Sequence, residues 1–176
     1  IDNLHILIGS ASFCHAKDND EAIYLNIDKH NVAKLILKDG VRKSAKKTIQ
    51  KLHNLGIKIE MYTGDSENIA KDIAASVGID SVSYNLLPQD KYHLLEKELQ
   101  DNIDVAFVGD GINDAPSLAL AKVGISLGGI GSAAAIESSD IVIMDDNLEK
   151  IVTGINISKY TNKIIKQNLI FAILVK

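Results

Sequence analysis

Tryptophan is absent from these 176 residues, and cysteine occurs once, at Cys14. A single thiol allows neither a disulfide framework nor a cluster of thiolate metal ligands. Positive charge is not in excess either. Nineteen lysines and arginines stand against 23 acids, a net charge of −4, which argues against the basic face that non-specific nucleic-acid binding needs. No apolar run is long enough to span a bilayer: the longest, Leu169 to Val175, falls far short of roughly 20 residues. Asp2, Asn3 and His5 interrupt the first apolar residues, so the start does not read as a secretory signal. What remains is 46% apolar and 24% charged, the make-up of an ordinary soluble α/β protein with one good-sized domain and an appendage.

The most informative stretch is Val105-Ala-Phe-Val-Gly-Asp-Gly-Ile-Asn-Asp-Ala-Pro116. Val105 to Val108 are continuously apolar, as in a parallel strand buried on both faces. Gly109 and Gly111 flank Asp110, so the backbone can turn sharply and approach a ligand closely. Ala115-Pro116 then opens a helical pattern, with proline tolerated in the first turn. A carboxylate at a strand's carboxyl end, Asp110, with Asp114 four residues on, suits a hard cation such as magnesium. The plain alternative is a strand-to-helix turn with two solvated aspartates.

Ahead of it, residues 1–32 read as small antiparallel pieces, with strand candidates at His5–Ile8 and Glu21–Ile27 around a polar loop. Asp28-Lys-His-Asn31 reads as a hairpin turn. From Ala33 strands and helices alternate: a strand at Leu35–Leu37, a helix at Lys43–Leu55 stopped by Gly56, and a strand at Ile57–Tyr62. Thr63-Gly64-Asp65 stands where that strand meets a helix carrying Ile69, Ala70, Ile73, Ala74 and Val77 on one face. A hydroxyl and free N–H groups there form an anion site; equally, the acids could simply cap the helix. Ser81–Tyr84 is a short strand, and Leu87-Pro-Gln-Asp-Lys91 opens a helix to about Gln100. A lysine in a first turn opposes the helix dipole, a cost offset if its ammonium faces a phosphate. Val123–Leu127 and Ile141–Met144 are two more buried strands, joined by a glycine-rich turn and a short helix, and a long helix runs from Leu148.

Three motifs in this order carry a resemblance. Gly109-Asp-Gly-x-Asn-Asp114 is similar to the magnesium-binding loop of haloacid-dehalogenase-type P-type ATPases. Thr63-Gly-Asp65 and Pro88-x-Asp-Lys91 match the same family, and the segment through Asp146 resembles its zinc/cadmium/lead-transporting subgroup. The resemblance implies a haloacid-dehalogenase-like, Rossmannoid α/β fold: a parallel sheet flanked by helices, preceded by a remnant of a nucleotide-binding domain. Residues 1–32 would end that domain, 33–150 would form the phosphorylation domain without its nucleophile strand, and 151–176 would link into a truncated transmembrane helix. Lys159, Lys163 and Lys166, just before the apolar end, fit a cytoplasmic approach to a membrane; the alternative is an amphipathic helix packed on the sheet.

By the same resemblance, Asp110 and Asp114 bind magnesium. Thr63, Lys91 and Asn113 stabilise the phosphoryl group, with Gly64 and Asp65 near the phosphates of ATP, the substrate. Ile6-Leu-Ile-Gly9 matches the close of the nucleotide-binding domain, so Gly9 either adjoins adenine or is a plain turn glycine. Asp39 and Arg42 match a hinge ion pair, or form an ordinary surface pair. The family's Asp-Lys-Thr-Gly-Thr nucleophile motif is absent, since Asp28-Lys29 continues as His30-Asn31, and the Cys-Pro-Cys metal site is absent too.

The expectation is therefore a largely soluble fragment of a heavy-metal pump, belonging to the cytoplasmic face of the cell membrane. Its partners would be the rest of the pump, and open sheet edges would leave it prone to self-association. Two alternatives stand beside it. One is a stand-alone phosphatase of the same superfamily, for which Asp18-Asn-Asp20 has the spacing but no preceding apolar strand. The other is a non-catalytic regulatory fragment.

Overall fold

The computed structural model describes residues 4–17, 22–36, 40–109, 111–128, 133–145 and 147–175. The chain divides into two compact units, Ile1–Val41 and Arg42–Lys176.

The first unit is an antiparallel sheet of β1 (Ile6–Gly9), β2 (Ile23–Ile27) and β3 (His30–Leu35), in that spatial order. Asp28 and Lys29 form the turn between β2 and β3, with φ of 47° and 69°, and Ile27 pairs with His30 across it. Two consecutive left-handed residues give the turn whose twist matches a hairpin. Asp28 is fixed further: its N–H donates to the His5 carbonyl and its carboxylate accepts the His5 N–H, both at 2.9 Å. The hairpin expected from the sequence is thus present. Ala11, Cys14, Ala22 and Tyr24 pack on one face, and the Cys14 thiol donates to the Tyr24 carbonyl at 3.3 Å.

Residue 32 lies within β3, whose Leu35 still pairs with Ile23. The strand expected at Leu35–Leu37 is likewise only the end of β3: Ile36 has no regular structure, and Leu37 lies outside the described residues.

In the second unit helices alternate with strands. Its elements are α1 (Ala45–Asn54), β4 (Glu60–Tyr62), α2 (Glu67–Val77), β5 (Ser81–Ser83), α3 (Pro88–Gln100), β6 (Ala106–Gly109), α4 (Ala115–Leu120), β7 (Val123–Leu127), α5 (Ala133–Glu137), β8 (Ile141–Ile143) and α6 (Glu149–Leu174). The α2 pattern ends at Gly78, which adopts φ 85° and returns its N–H to the Ala74 carbonyl at 2.9 Å, a left-handed cap. Every strand pairing is parallel, but the strands form two sheets, β4-β5 and β6-β7-β8. Among the described residues, β4 pairs only with β5, and β6 only with β7.

That division corrects one expectation about β6. It is not buried on both faces: Ala106 and Val108 are exposed, Val108 by 39%. A parallel strand with a neighbour on one edge only lacks half its cover. The fully flanked strand is β7, where Ile125 and Leu127 pack with Ile143 under Leu148 and Ile151. Gly124 lies so close beneath α4 that a Cβ there would come within 2.3 Å of the Leu118 carbonyl oxygen.

The first turns of α6 are anchored by Val152, which is buried, and by Glu149, which pairs with Lys51 at 3.2 Å and Lys47 at 3.5 Å. From Ile157 onward its large apolar side chains are exposed, Phe171 and Leu174 by 68% and 78%. The long helix expected from Leu148 is present with Leu148 as its N-cap, and only its start packs on the domain. No helix of the described residues is long and apolar enough to cross a membrane.

Candidate functional site

The sheet directions place three loops at the carboxyl ends of parallel strands, where an open α/β sheet offers a crevice to ligands. The first follows β4. The Thr63 hydroxyl donates to the Asp65 carboxylate at 2.7 Å and accepts the Asp65 N–H at 3.1 Å, so the two side chains close a small ring ahead of α2. Backbone bonds tie this loop to the one after β5: Asn85 N–H to the Asp65 carbonyl at 2.9 Å, and Leu86 N–H to the Thr63 carbonyl at 3.0 Å. A Cβ on Gly64 would stand 3.2 Å from the Leu86 carbonyl oxygen, so a side chain there would press on that contact.

The second loop leads into α3. Pro88 sits in its first turn, and the Asp90 carboxylate accepts the Leu87 N–H at 2.8 Å, satisfying one of the free donors of the helix start. Lys91 follows, and its ammonium donates to the Asp114 carboxylate at 3.1 Å. The two side chains are 21% and 13% exposed. A first-turn lysine with its charge against the helix dipole thus finds its compensation in a carboxylate from another loop.

The third loop follows β6. Ile112–Asp114 form one turn of 3-10 helix, and the Asp114 N–H returns to the Gly111 carbonyl at 3.1 Å. Although Asp114 stands at the start of α4, its side chain makes no capping bond and is turned to Lys91. It folds back over the strand end so closely that a Cβ on Gly109 would lie 2.8 Å from its own Cβ and 3.0 Å from its second carboxylate oxygen. Asn113 is exposed beside it.

The structure therefore joins Lys91 to Asp114, and Thr63 to Asp65 and Gly64. Gly9 closes β1 in the first unit, where a Cβ would meet the Phe13 ring at 2.8 Å. Asp110, Asp39, Asp18 and Asp20 lie outside the described residues. For magnesium, the donor chemistry fits: Asp114 supplies carboxylate oxygens, which a hard cation prefers, and Gly109 leaves room for them at the strand end.

Below this rim lies a cluster that the sequence reading missed. The Tyr62 hydroxyl donates to Glu98 on α3 at 3.0 Å, and Glu60 accepts from Ser81 and, at 3.2 Å, from Lys58. Burial first, then the neighbouring Glu60 carboxyl, pushes Glu98 above the usual carboxylate range. The Ser81 hydroxyl chiefly holds Glu60 below it. Burial, reinforced by Glu98, pushes the Tyr62 phenol up. The signal for Glu98 was available: Lys91, Leu95 and Glu98 stand at i, i+4 and i+7, one face of a helix.

With this geometry described, the chain can be set beside known proteins. A family model described as haloacid dehalogenase-like hydrolase matches residues 3–122. A cadmium-transporting ATPase of Staphylococcus aureus is 42% identical over 156 residues, covering 88% of this chain and 22% of that protein. A zinc-transporting ATPase of Synechocystis sp. is 34% identical over 187 aligned residues, covering all of this chain and 26% of that protein. Among solved structures, a zinc-transporting PIB-type ATPase in its E2.Pi state superposes with a TM-score of 0.76 and 28% identity, over 96% of this chain and 29% of that one. The catalytic domain of the CPx-ATPase CopB-B gives a TM-score of 0.66 and 29% identity, over 87% of this chain and 58% of that one. The chain thus spans between 22% and 26% of the length of these curated relatives.

Proposed function

Because the chain belongs to the haloacid dehalogenase-like hydrolase family, we propose that it contributes the magnesium- and phosphate-binding half of the phosphorylation domain of an ATP-driven pump for heavy-metal cations of the zinc, cadmium and lead type. The observation that supports this most directly is the Lys91–Asp114 pair at 3.1 Å, in which two motifs 23 residues apart converge on one strand end.

In this role Lys91 and Asn113 offset charge on the phosphoryl oxygens. Thr63 joins them once an anion draws its hydroxyl away from Asp65, while Gly64 lets the backbone approach. Asp65 lies near the ATP phosphates, and Gly9 near the adenine. Asp110 and Asp114 would hold magnesium, which when bound neutralises phosphate charge. The nucleophilic aspartate comes from elsewhere in the pump, because the chain's own Asp28-Lys29 is committed to a hairpin turn. The exposed end of α6 leads toward the membrane on its cytoplasmic side. Taken alone, the chain is inactive and self-associates through the open edges of β4 and β6.

Intact-mass analysis after incubation with magnesium and acetyl phosphate, with and without hydroxylamine, tests this directly. The expected result is no covalent adduct, together with magnesium binding that weakens at least tenfold in Asp110→Ala. A hydroxylamine-labile phosphate adduct, or magnesium affinity unchanged by that substitution, overturns it.

A further inference from the structure

Among the described residues, His15, Asp28, Lys29, Asn85 and Asn102 have positive φ without being glycine. Asp28 and Lys29 close the first hairpin, His15 lies in the turn after β1, and Asn102 follows the end of α3. Asn85, at φ 54°, is the one that stands at the carboxyl end of a parallel strand, in the loop that runs from β5 to Lys91.

This bend has a definite result. In an extended strand successive residues face opposite ways, yet the N–H groups of Asn85 and Leu86 both donate to the loop after β4, to the Asp65 carbonyl at 2.9 Å and the Thr63 carbonyl at 3.0 Å. The torsions of Asn85 lie between these two donors, so its left-handed backbone is what turns both to one side. The Thr63 N–H in turn donates to the Ser83 carbonyl at 3.0 Å, and the three main-chain bonds clasp Thr63-Gly64-Asp65. Leu87 then leads into α3 in extended backbone, and Lys91 follows in the first turn. Thr63 and Lys91 come from different elements, and residues 85–87 are the short link between the clasp that holds one and the helix that carries the other. The Asn85 side chain is exposed. Asparagine enters the left-handed region more readily than most residues, whereas a β-branched residue there is a genuine outlier.

We infer that Asn85 is a positioning residue for the phosphate site: its left-handed backbone holds the Thr63 hydroxyl and the start of α3, with Lys91, at the spacing a phosphoryl group needs. The inference rests on the phosphate-site reading above. It assigns the role to the backbone conformation and not to the carboxamide.

Amide NMR of the whole chain, with inorganic phosphate and magnesium as the probe, tests it. Asn85→Gly takes the left-handed region freely, and is expected to keep the Thr63 and Asp65 amide resonances in place and phosphate affinity within about twofold of the parent's. Asn85→Val is expected to move those resonances and the Lys91 amide, and to weaken phosphate binding about tenfold, the loss of one charge-assisted contact. Should Asn85→Val fail to fold, Asn85→Ala shows the same changes in smaller measure. Asn85→Val that binds phosphate as the parent does overturns the positioning role and leaves the phosphate site standing; a parent that binds no phosphate overturns both. An equal loss in Asn85→Gly and Asn85→Val also overturns the inference, since the carboxamide is then what matters.

Discussion

The ammonium of Lys91 lies 3.1 Å from the carboxylate of Asp114, with both side chains largely withdrawn from water. The pair bridges the first turn of α3 and the turn after β6. It supplies each charge with a partner that solvent cannot readily replace. Lys91→Met or Asp114→Asn alone should destabilise the chain by about 1–2 kcal/mol, between the values for exposed and fully buried pairs. The double variant should lose less than the sum of the two. Urea denaturation of the four proteins closes the cycle, and strict additivity would mean the contact contributes nothing.

Glycine substitutions should separate by what each new methyl group meets. At Gly124 it meets a backbone carbonyl at 2.3 Å, which cannot step aside, so Gly124→Ala should cost about 3 kcal/mol. At Gly109 it meets the Asp114 side chain, and Gly109→Ala should cost about 1–3 kcal/mol while displacing that carboxylate from Lys91. At Gly154, within α6, there is open space, and Gly154→Ala should stabilise by about 0.5–1 kcal/mol. Thermal melting gives the order, and equal effects at all three would contradict it.

Acid should reveal Asp80. The Ile59 N–H chiefly, and His53 next, hold its carboxyl below the usual range. A depressed value in the folded chain means stability present above the unfolded value, about 3.9, and lost as pH falls through the folded one. Asp80→Asn should therefore melt below the parent at neutral pH, with the gap closing in acid. A gap constant with pH would show that the carboxylate's charge is irrelevant there.

The outer part of α6 should bind anionic vesicles. It presents Ile157, Tyr160, Leu169, Phe171 and Leu174 to solvent, with Lys159, Lys163 and Lys166 alongside and no acid after Glu149. Each lysine near such a surface adds about 1 kcal/mol at low salt. Changing the three lysines to glutamine should release the chain from phosphatidylserine vesicles in a flotation assay. Equal binding to neutral vesicles would show that apolar contact alone holds it.

Much of this architecture could be read ahead of the structure, for identifiable reasons. Apolar periodicity marked α1 and α2, and Gly56 marked the end of α1. Asp28-Lys29 was recognisable as a turn because aspartate is a favoured turn residue that tolerates left-handed backbone. The position of Lys91 was legible because a cation in a first turn needs a compensating anion. Its partner was not, because only the tertiary packing of α3 against the loop after β6 brings Asp114 within reach. Burial of β6 was overestimated, since a run of apolar residues does not report how many neighbours a strand has. The extent of β3 was hard to read because it carries little apolar patterning; all six of its residues are exposed.

The division of the second unit into two parallel sheets also bears on how the chain folds. β4 and β5 are separated only by α2, and β6, β7 and β8 by α4 and α5, so each sheet can assemble from its own neighbourhood. Short loops close cheaply, which favours two nuclei forming independently and α3 docking after both. Amide exchange should then fall into two protection classes, one over 60–83 and one over 106–143, each opening without the other.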